Sequence, residues 1–331
     1  MTKLEQFQGC LVGGAIGDAL GAPVEFFNLD TIKQKYGETG ITSYDYAYGK
    51  IGAITDDTQM TMFTTDALCQ FFANEMNIPL EIQLTQAYLY WLETQESIYK
   101  ESNIQLLSHK ELWSRRAPGT TCLSSLKQFK QNGSIINNSS KGCGGVMRVA
   151  PIGLAVQDPD ESYCAGKMCA LITHQHIDGF VPAGALARII SLIVHHDQSI
   201  QDAQADSFNF IEKEESDCNT LKLWAKAQKY IESDTEFNVE HFINLGEGWT
   251  GDEAFVMSLY CALKEHNILD AIIKAVNHNG DSDSIGSITG QILGAAQGVK
   301  SLPLIFMQQL ELCDVIMEQA FNLHELSKDK N

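Results

Sequence analysis

The stretch Gly280-Asp281-Ser282-Asp283-Ser284-Ile285-Gly286 places two carboxylates and two hydroxyls directly before an apolar pattern with helical spacing. Because Asp281 and Asp283 are two positions apart, an irregular turn can direct both side chains at one point. Ser284 is suited to cap the helix that follows, since Ser, Thr, Asp and Asn are the preferred N-caps. The helix itself is predicted by its apolar positions, Ile285, Ile288, Ile292 and Leu293.

A second cluster of the same design lies far upstream, at Thr55-Asp56-Asp57-Thr58. It is followed by an apolar stripe at helical spacing. The stripe consists of Met60, Phe63, Ala67, Leu68 and Phe71. The repetition predicts that the two clusters face each other in the fold.

Two interpretations of these acids stay open. Carboxylates favour the positive end of a helix, so all four acids are explained as caps if the clusters lie apart. If they converge, their mutual repulsion requires a cation, and an all-oxygen ligand set selects Mg²⁺, Mn²⁺ or Ca²⁺ over zinc. Two adjacent acids at one helix start exceed what a cap needs, which favours a site for two hard metal ions.

The composition restricts the class of function. The chain has 331 residues and a 44% hydrophobic fraction, as expected of a globular protein with a sizeable core. With 42 acidic and 23 basic residues its formal charge is −19, so binding to nucleic-acid backbones is not expected. The nine cysteines show no CxxC spacing, which indicates reduced thiols and disfavours a thiolate zinc site.

No targeting or membrane segment is expected. The apolar residues Leu11 to Ile16 are interrupted by Asp18 and are too few for a signal peptide. No stretch approaches the roughly 20 apolar residues that span a bilayer. The sequence therefore predicts a cytoplasmic protein without membrane contact.

The periodicity predicts an all-α protein forming one domain over 1–331, because runs with a period of two are almost absent. A first helix over Leu4 to Leu20 ends before Pro23, and its small residues let another backbone approach. Residues 28–54 and 131–145 are predicted to be loops. Further helices are predicted over 58–72, 84–92, 123–129, 183–195, 219–232, 252–264, 268–276 and 303–323.

Lys141 to Arg148 offers backbone amides that are free of bulky side chains. Such a nest can hold a phosphate or diphosphate, although a glycine-rich bend is often only a turn. Arg148 is suited either to bind an anion or to form an ion pair with one of the many acids.

In Ile172-Thr173-His174-Gln175-His176 the histidines are ordinary hydrogen-bonded residues, ligand contacts or proton carriers.

Two further residues have both a plain and a functional interpretation. Trp249, in the run Gly246 to Ala254, is either packed beside a capped helix or exposed at a site. Glu25 follows the break at Pro23, where a side chain is either an ordinary exposed surface residue or points into a cleft. Glycosidic cleavage needs such a carboxyl group near the leaving atom or the attacking water.

Taken in order, six motifs resemble the ADP-ribosylglycohydrolase family, which includes the dinitrogenase-reductase activating glycohydrolase and the ADP-ribosylarginine hydrolases. The resemblance runs from about Gly9 to Gly298, and the ordered set is far more specific than any one motif. The motifs are Gly17-Asp-Ala-Leu-Gly-Ala-Pro-Val-Glu25, Thr55-Asp-Asp-Thr58, Gly142-Cys-Gly-Gly-Val-Met-Arg-Val-Ala-Pro151, Ile172-Thr-His174, Gly246-Glu-Gly-Trp249 and Gly280 to Gly286.

The resemblance implies an all-helical domain with a cleft for two Mg²⁺ or Mn²⁺ ions that holds ADP-ribose. It implies that one metal is bound by Thr55, Asp56 and Asp57, the other by Asp281 and Ser284, and that Asp283 bridges both. Asp57 and Asp283 would thereby take part in catalysis, with Glu25 near the scissile bond. Substrate contacts are implied for Gly142, Cys143, Gly144, Gly145, His174 and Trp249.

Two positions depart from the family pattern. Cys143 stands where a small polar residue such as Asn is expected, and Ser284 replaces the commoner Thr. Backbone amides do most of the work of a nest, and serine keeps the hydroxyl. Both departures are therefore compatible with activity.

Three classes of function stay open. The first is a hydrolase that removes ADP-ribose from a protein, with arginine as the favoured acceptor and serine-linked, O-acetyl and nucleic-acid-linked ADP-ribose as alternatives. Its expected partner is a modified protein. An ADP-ribosyltransferase, such as a toxin against which the hydrolase protects, is a second candidate partner. The others are a metal-dependent phosphohydrolase and a non-catalytic ADP-ribose-binding relative, and the intact metal motifs favour the first.

Overall fold

The computed structural model describes residues 1–135, 137–215 and 217–328. Within them the all-α class is confirmed: sixteen α-helices account for most of the chain, and the one sheet is a two-stranded hairpin. The predicted domain limits stay a prediction, because residues 329–331, Ile136 in the predicted loop 131–145, and Ser216 lie outside the described residues. The helices are α1 Lys3–Gly21, α2 Leu29–Tyr36, α3 Asp56–Ala73, α4 Leu80–Glu96, α5 Thr120–Asn132, α6 Ala150–Ala155, α7 Pro159–Leu171, α8 Ile177–His195, α9 Ile200–Glu214, α10 Asn219–Ser233, α11 Val239–Ile243, α12 Gly251–Lys264, α13 Ile268–Val276, α14 Ser282–Gln297, α15 Leu304–Gln309 and α16 Cys313–Ser327.

The centre of the molecule is the antiparallel pair of α1 and α14. Each helix carries glycines four positions apart, and the two rows face each other along the contact. A Cβ on Gly13 would lie 2.5 Å from the carbonyl oxygen of Gly290, so the two backbones touch without intervening side chains. The close approach places the end of α1 beside the start of α14. The facing rows are Gly9, Gly13, Gly17 and Gly21 on α1 and Gly286, Gly290 and Gly294 on α14.

The starts of the helices that carry acids are fixed by their caps. The Thr55 side chain accepts a hydrogen bond from the amide of Asp57, so α3 begins two residues before the predicted start. At α14 the N-cap is Asp281 rather than Ser284, which lies inside the first turn. Both acid pairs therefore sit at the amino ends of helices, as predicted, but Ser284 is free for another role.

The predicted loop over 28–54 is wrong in part. Asn28 caps the short helix α2, whose only buried residue is Ile32, and strands β1 Tyr46–Ala47 and β2 Lys50–Ile51 form a hairpin. One buried residue gives too weak a period to detect in the sequence. Four other helices, α6, α7, α9 and α11, were not predicted, and the predicted tail helix over 303–323 is divided into α15 and α16.

Helix α8 packs in the core and is apolar on almost every side. It is long and apolar enough to cross a bilayer by length and composition, so the prediction that no stretch approaches this size is wrong. However, 89% of its most apolar window is buried inside the protein. A helix surrounded by other helices needs no polar face, so its composition is explained by burial.

Candidate active site

A cleft of about 550 Å³ opens where three chain segments meet. They are the turn after α1, the start of α3 and the start of α14, and the helix pair α1/α14 brings the first and third together. Each segment contributes buried acids, so the convergence predicted from the sequence is confirmed. The cleft is lined by Glu25, Phe26, Asp56, Asp57, Arg115, Ala117, Pro118, Gly119, Thr120, Thr121, Gly142, Cys143, Gly144, Met147, His174, Trp249, Asp281, Asp283 and Ser284.

The tightest group of acids is formed by Glu25, Asp281 and Asp283. One carboxylate oxygen from each lies within 4.8 Å of the others, and all three residues are buried. The amide of Ser284 donates to Asp283 at 3.0 Å, whereas Glu25 Oε2 and Asp57 Oδ1 are buried and have no hydrogen-bond partner among the described residues. Buried oxygens without donors are costly, which indicates that a positive species belongs among them.

Burial and mutual repulsion control the ionisation of the cluster. Burial, and next the charge of Asp283, raise the pKa of Glu25 to about 12 and the pKa values of Asp56, Asp57 and Asp281 well above their ordinary range. Burial also raises the pKa of Asp283 itself. Asp283 exerts the largest charge effect on each of the other acids and therefore lies at the electrostatic centre of the cluster.

These acids have no cationic partner in the described part of the chain. None of them forms an ion pair with Lys, Arg or His within 4.0 Å, and Arg115 lies on the cleft wall as an exposed side chain. Carboxylate and hydroxyl oxygens are the ligands preferred by Mg²⁺ and Mn²⁺. The residues that line the cleft therefore fit a divalent metal centre, whereas Thr55, which directly precedes Asp56 in the chain, is buried and does not line it.

Asp18 is a buried acid near the cluster, and its structural role was not predicted from the sequence. It is fully buried in α1 and accepts hydrogen bonds from the amides of Thr55 at 3.0 Å and Thr58 at 3.1 Å, and from the Thr58 hydroxyl. Burial, and next the charge of Asp283, raise the pKa of Asp18 to about 7. Asp18 thereby fixes the start of α3 to α1. The signal was an acid inside an otherwise apolar helix.

The glycine-rich segment lies along one wall, but its members differ in role. The Cys143 amide donates to the Trp249 carbonyl at 3.3 Å, so it is not free for an anion. The Cys143 thiol donates to Asp281 Oδ2 at 2.8 Å, so this residue contacts the acid cluster, and its predicted contact with a substrate stays a prediction. Gly145 faces the Gly179 carbonyl and does not line the cleft, whereas Gly142, Cys143 and Gly144 do.

His174 and an aromatic pair complete the cleft. His174 is 2% exposed, and burial, followed by the charge of Arg148, lowers its pKa to about 3, so the ring is neutral. At the mouth, the rings of Phe26 and Trp249 are stacked with centroids 6.2 Å apart at 16°. Both are exposed, at 68% and 40% respectively, so the functional interpretation of Trp249 is favoured by its position. Phe26 was not predicted.

Neither interpretation of Arg148 is correct. It is completely buried away from the cleft surface, and within the described residues no carboxylate lies within 4.0 Å of it. Its guanidinium lies 4.3 Å from the centre of the Tyr88 ring and donates to the Cys169 carbonyl and the Thr173 hydroxyl. Arg148 is therefore a buried cation held by neutral partners.

The fold and the cleft together define an all-helical protein with an acid-lined centre suited to divalent metals. The chain belongs to the ADP-ribosylglycohydrolase family, whose sequence model matches residues 1–331. The expectation drawn from the six motifs is thus confirmed at the level of the family.

Three of the curated relatives show the degree of similarity. The chain is 24% identical to ADP-ribosyl-[dinitrogen reductase] glycohydrolase of Rhodospirillum rubrum, over 92% of this chain and 90% of the relative. It is 22% identical to ADP-ribosylhydrolase ARH3 of Bos taurus, over 98% and 93%. It is 23% identical to ADP-ribosylarginine hydrolase Tri1 of Serratia proteamaculans, over 98% and 79%.

A solved structure described as an ADP-ribosylglycohydrolase-related protein complex has the same fold. It superposes with a TM-score of 0.74 at 19% identity, covering 98% of this chain and 99% of that chain. At this identity the similarity concerns the fold alone.

Proposed function

We propose that the protein is a metal-dependent hydrolase that removes ADP-ribose from modified proteins by cleaving the N-glycosidic bond to arginine. The observation that carries the proposal is the convergence of unpaired buried acids from three segments on one cleft with an exposed aromatic pair at its mouth. The protein substrate fits the relative from Rhodospirillum rubrum, whose name specifies a modified protein. A cytoplasmic location and a cognate ADP-ribosyltransferase stay predictions.

The metal ligands in this proposal are Thr55, Asp56, Asp57, Asp281, Asp283 and Ser284. Asp283 is assigned the bridging position, as the family resemblance implies, and its charge raises the pKa of every other acid of the cluster. Two Mg²⁺ or Mn²⁺ ions, when bound, supply Lewis acidity and lower the pKa of water. By holding the ions in place, these acidic and hydroxyl side chains would orient the ribose hydroxyls of the substrate.

Glu25 is the proposed proton carrier. Glu25 lines the cleft, and its Oε2 is buried without a hydrogen-bond partner within the described residues, so the carboxyl group can still form a further hydrogen bond. In hydrolysis the bond from the anomeric carbon to the arginine nitrogen breaks and a bond to a water oxygen forms. Glu25 would donate a proton to the arginine nitrogen and accept the proton that the water loses.

The mouth of the cleft supports arginine as the acceptor. Phe26 and Trp249 are nearly parallel, and flat aromatic faces bind a guanidinium through cation–π contacts. The net charge of −19 attracts a cationic group to the site. The similarity to Tri1, a relative named as an ADP-ribosylarginine hydrolase, is consistent with this assignment.

The test is release of ADP-ribose from an ADP-ribosylated arginine peptide. Protein stripped of metal with a chelator is expected to be inactive, and Mg²⁺ or Mn²⁺ is expected to restore turnover. Undiminished activity of a metal-free preparation would contradict the metal assignment. Binding of ADP-ribose without turnover of any conjugate would favour a non-catalytic relative instead.

A further inference from the structure

Three residues connect the core to the cleft. Arg148 donates to the Thr173 hydroxyl oxygen at 2.7 Å, and that oxygen lies 2.8 Å from His174 Nδ1. The opposite nitrogen of the ring, Nε2, forms no hydrogen bond within the described residues, and His174 lines the cleft. The three residues therefore connect a buried cation to a ring nitrogen of a histidine that lines the cleft.

The distances indicate which atom donates in the hydrogen bond between the Thr173 hydroxyl and His174 Nδ1. The Thr173 oxygen already accepts from Arg148, so its own proton goes to another acceptor. His174 Nδ1 lies at 2.8 Å, whereas the Ala170 carbonyl lies at 3.5 Å, the limit of a hydrogen bond. Donation by Thr173 to Nδ1 is therefore favoured, and in a neutral imidazole the proton must then be on Nε2.

The charge of Arg148 acts in the same direction. An arginine side chain stays protonated, and here it is buried with neutral partners only. A guanidinium that donates to a hydroxyl polarises it and strengthens the hydrogen bond that the hydroxyl donates onward. It also opposes a second proton on the nearby ring, since burial and then Arg148 lower the pKa of His174.

We propose that Arg148 is a positioning residue that acts through Thr173 to hold His174 as the neutral tautomer with its proton on Nε2. The imidazole then presents a fixed hydrogen-bond donor to the cleft beside Gly142 and Gly144. A Cβ on either glycine would lie 3.3 or 3.4 Å from Nε2, so the missing side chains leave this nitrogen accessible.

The chemistry identifies the kind of group that Nε2 binds. A neutral N–H donor among carboxylates binds an oxygen acceptor of the ligand and adds no charge to compete with the metal ligands. If the proposed function holds, this acceptor is a phosphate or ribose oxygen of ADP-ribose. The tautomer itself is a property of the free protein and does not depend on that function.

The experiment measures the tautomer directly. Nitrogen-15 spectra of protein labelled at its nine histidines distinguish a protonated from an unprotonated ring nitrogen, and the variant His174→Gln assigns the His174 signals. The free wild-type protein is expected to show the Nε2–H form. A signal from Nδ1–H or from imidazolium at neutral pH would overturn the proposal.

Variants at Thr173 and Arg148 separate positioning from packing. Thr173→Val and Arg148→Met are expected to give a mixture of tautomers and to raise the Kd for ADP-ribose about 3- to 10-fold, as loss of one hydrogen bond predicts. Thr173→Ser and Arg148→Lys keep the donor and are expected to restore both values. Unchanged tautomer and Kd in folded Thr173→Val would overturn the proposal.

The tautomer of His174 can still be determined if variants fail to fold or if ADP-ribose does not bind. Should the valine and methionine variants not fold, the wild-type and serine spectra still decide which nitrogen carries the proton. Should neither the wild type nor any variant bind ADP-ribose, the proposed function fails while the tautomer result stands on its own.

Discussion

Gly13 and Gly290 face each other so closely that a Cβ added to Gly13 would lie 2.5 Å from the Gly290 carbonyl oxygen. The contact lies midway along the α1/α14 pair. Because Glu25 follows α1, and Asp281 and Asp283 begin α14, the approach of these two backbones fixes the distance between the acids of the cleft.

Gly290→Ala is expected to lower the free energy of unfolding by about 2 kcal/mol or more, since the new methyl group meets backbone that cannot move aside. Urea unfolding measures the change. Gly119→Ala is the control, because its Cβ would meet only the Cys122 sulfur at 3.7 Å. Equal stability of the two variants would show that the helix pair tolerates separation.

Asp283→Asn is expected to abolish metal binding and hydrolysis together. The same change removes the central negative charge, so the metal-free variant is expected to be more stable than metal-free wild type above pH 7. Calorimetric metal titration and urea unfolding measure the two effects. The exposed acid Asp270 supplies the control Asp270→Asn, and retention of two bound metals by Asp283→Asn would contradict the bridging position.

The metal-free protein is expected to lose stability as the pH rises from 7 to 9. Glu25, with a pKa raised to about 12, binds a proton in the folded state that the unfolded chain releases near pH 4, and Asp56, Asp57 and Asp281 have pKa values raised in the same direction. The folded state therefore holds more protons than the unfolded state, and its free energy of unfolding falls with pH.

The range from pH 7 to 9 lies above the pH at which the buried histidines affect stability. Burial lowers the pKa values of His195 and His278 to about 4, which makes stability rise with pH, but only below about pH 6.5. Metal ions must displace the carboxyl protons, so their affinity is expected to increase between pH 7 and 9 with proton release on binding. Unfolding in chelator and calorimetry in two buffers measure both. Stability that rises over this range would contradict the raised pKa values.

The sequence predicted the two acid-bearing helix starts because a cap, a pair of acids and an apolar stripe are local signals. Asp18 was missed because its partners, Thr55 and Thr58, lie 37 and 40 residues away. The row of glycines on α14 was also overlooked, although Gly13 and Gly17 on α1 were recognised as an approach surface. A close contact between backbones needs both rows, and a pattern on one helix does not identify its partner.

Neutral surroundings are harder still to predict. Arg148 was assigned to an anion or an acid because a charged side chain is ordinarily paired. Its actual partners, including Tyr88 and the Cys169 carbonyl, come from segments with no recognisable motif. The stacking of Phe26 on Trp249 likewise joins residues that only the complete fold brings together.

Gly144→Ala is expected to weaken ADP-ribose binding about 10-fold while leaving metal affinity unchanged. The added Cβ would lie 2.8 Å from the Cys122 sulfur and 3.0 Å from His174 Cε1, so the histidine must move. Calorimetry with ADP-ribose and with Mn²⁺ measures the two affinities separately. Equal ADP-ribose affinity would place the diphosphate away from this wall.

Phe26 and Trp249 are expected to determine which linkage is cleaved. A guanidinium bound on these rings gains about 1–2 kcal/mol, so Phe26→Ala and Trp249→Ala are expected to raise KM for an arginine-linked substrate about 5- to 30-fold. A serine-linked or nucleic-acid-linked ADP-ribose lacks the guanidinium and is expected to change far less. Tyr46→Ala is the control, because Tyr46 is 65% exposed and does not line the cleft.

The comparison uses the three conjugates at matched concentration with each variant. Wild type is expected to prefer the arginine conjugate, and the aromatic variants are expected to lose that preference rather than activity in general. A parallel loss on all three conjugates would indicate that the rings shape the cleft without recognising the acceptor. Faster turnover of the serine-linked or nucleic-acid-linked conjugate by wild type would contradict the arginine assignment and leave the hydrolase proposal in place.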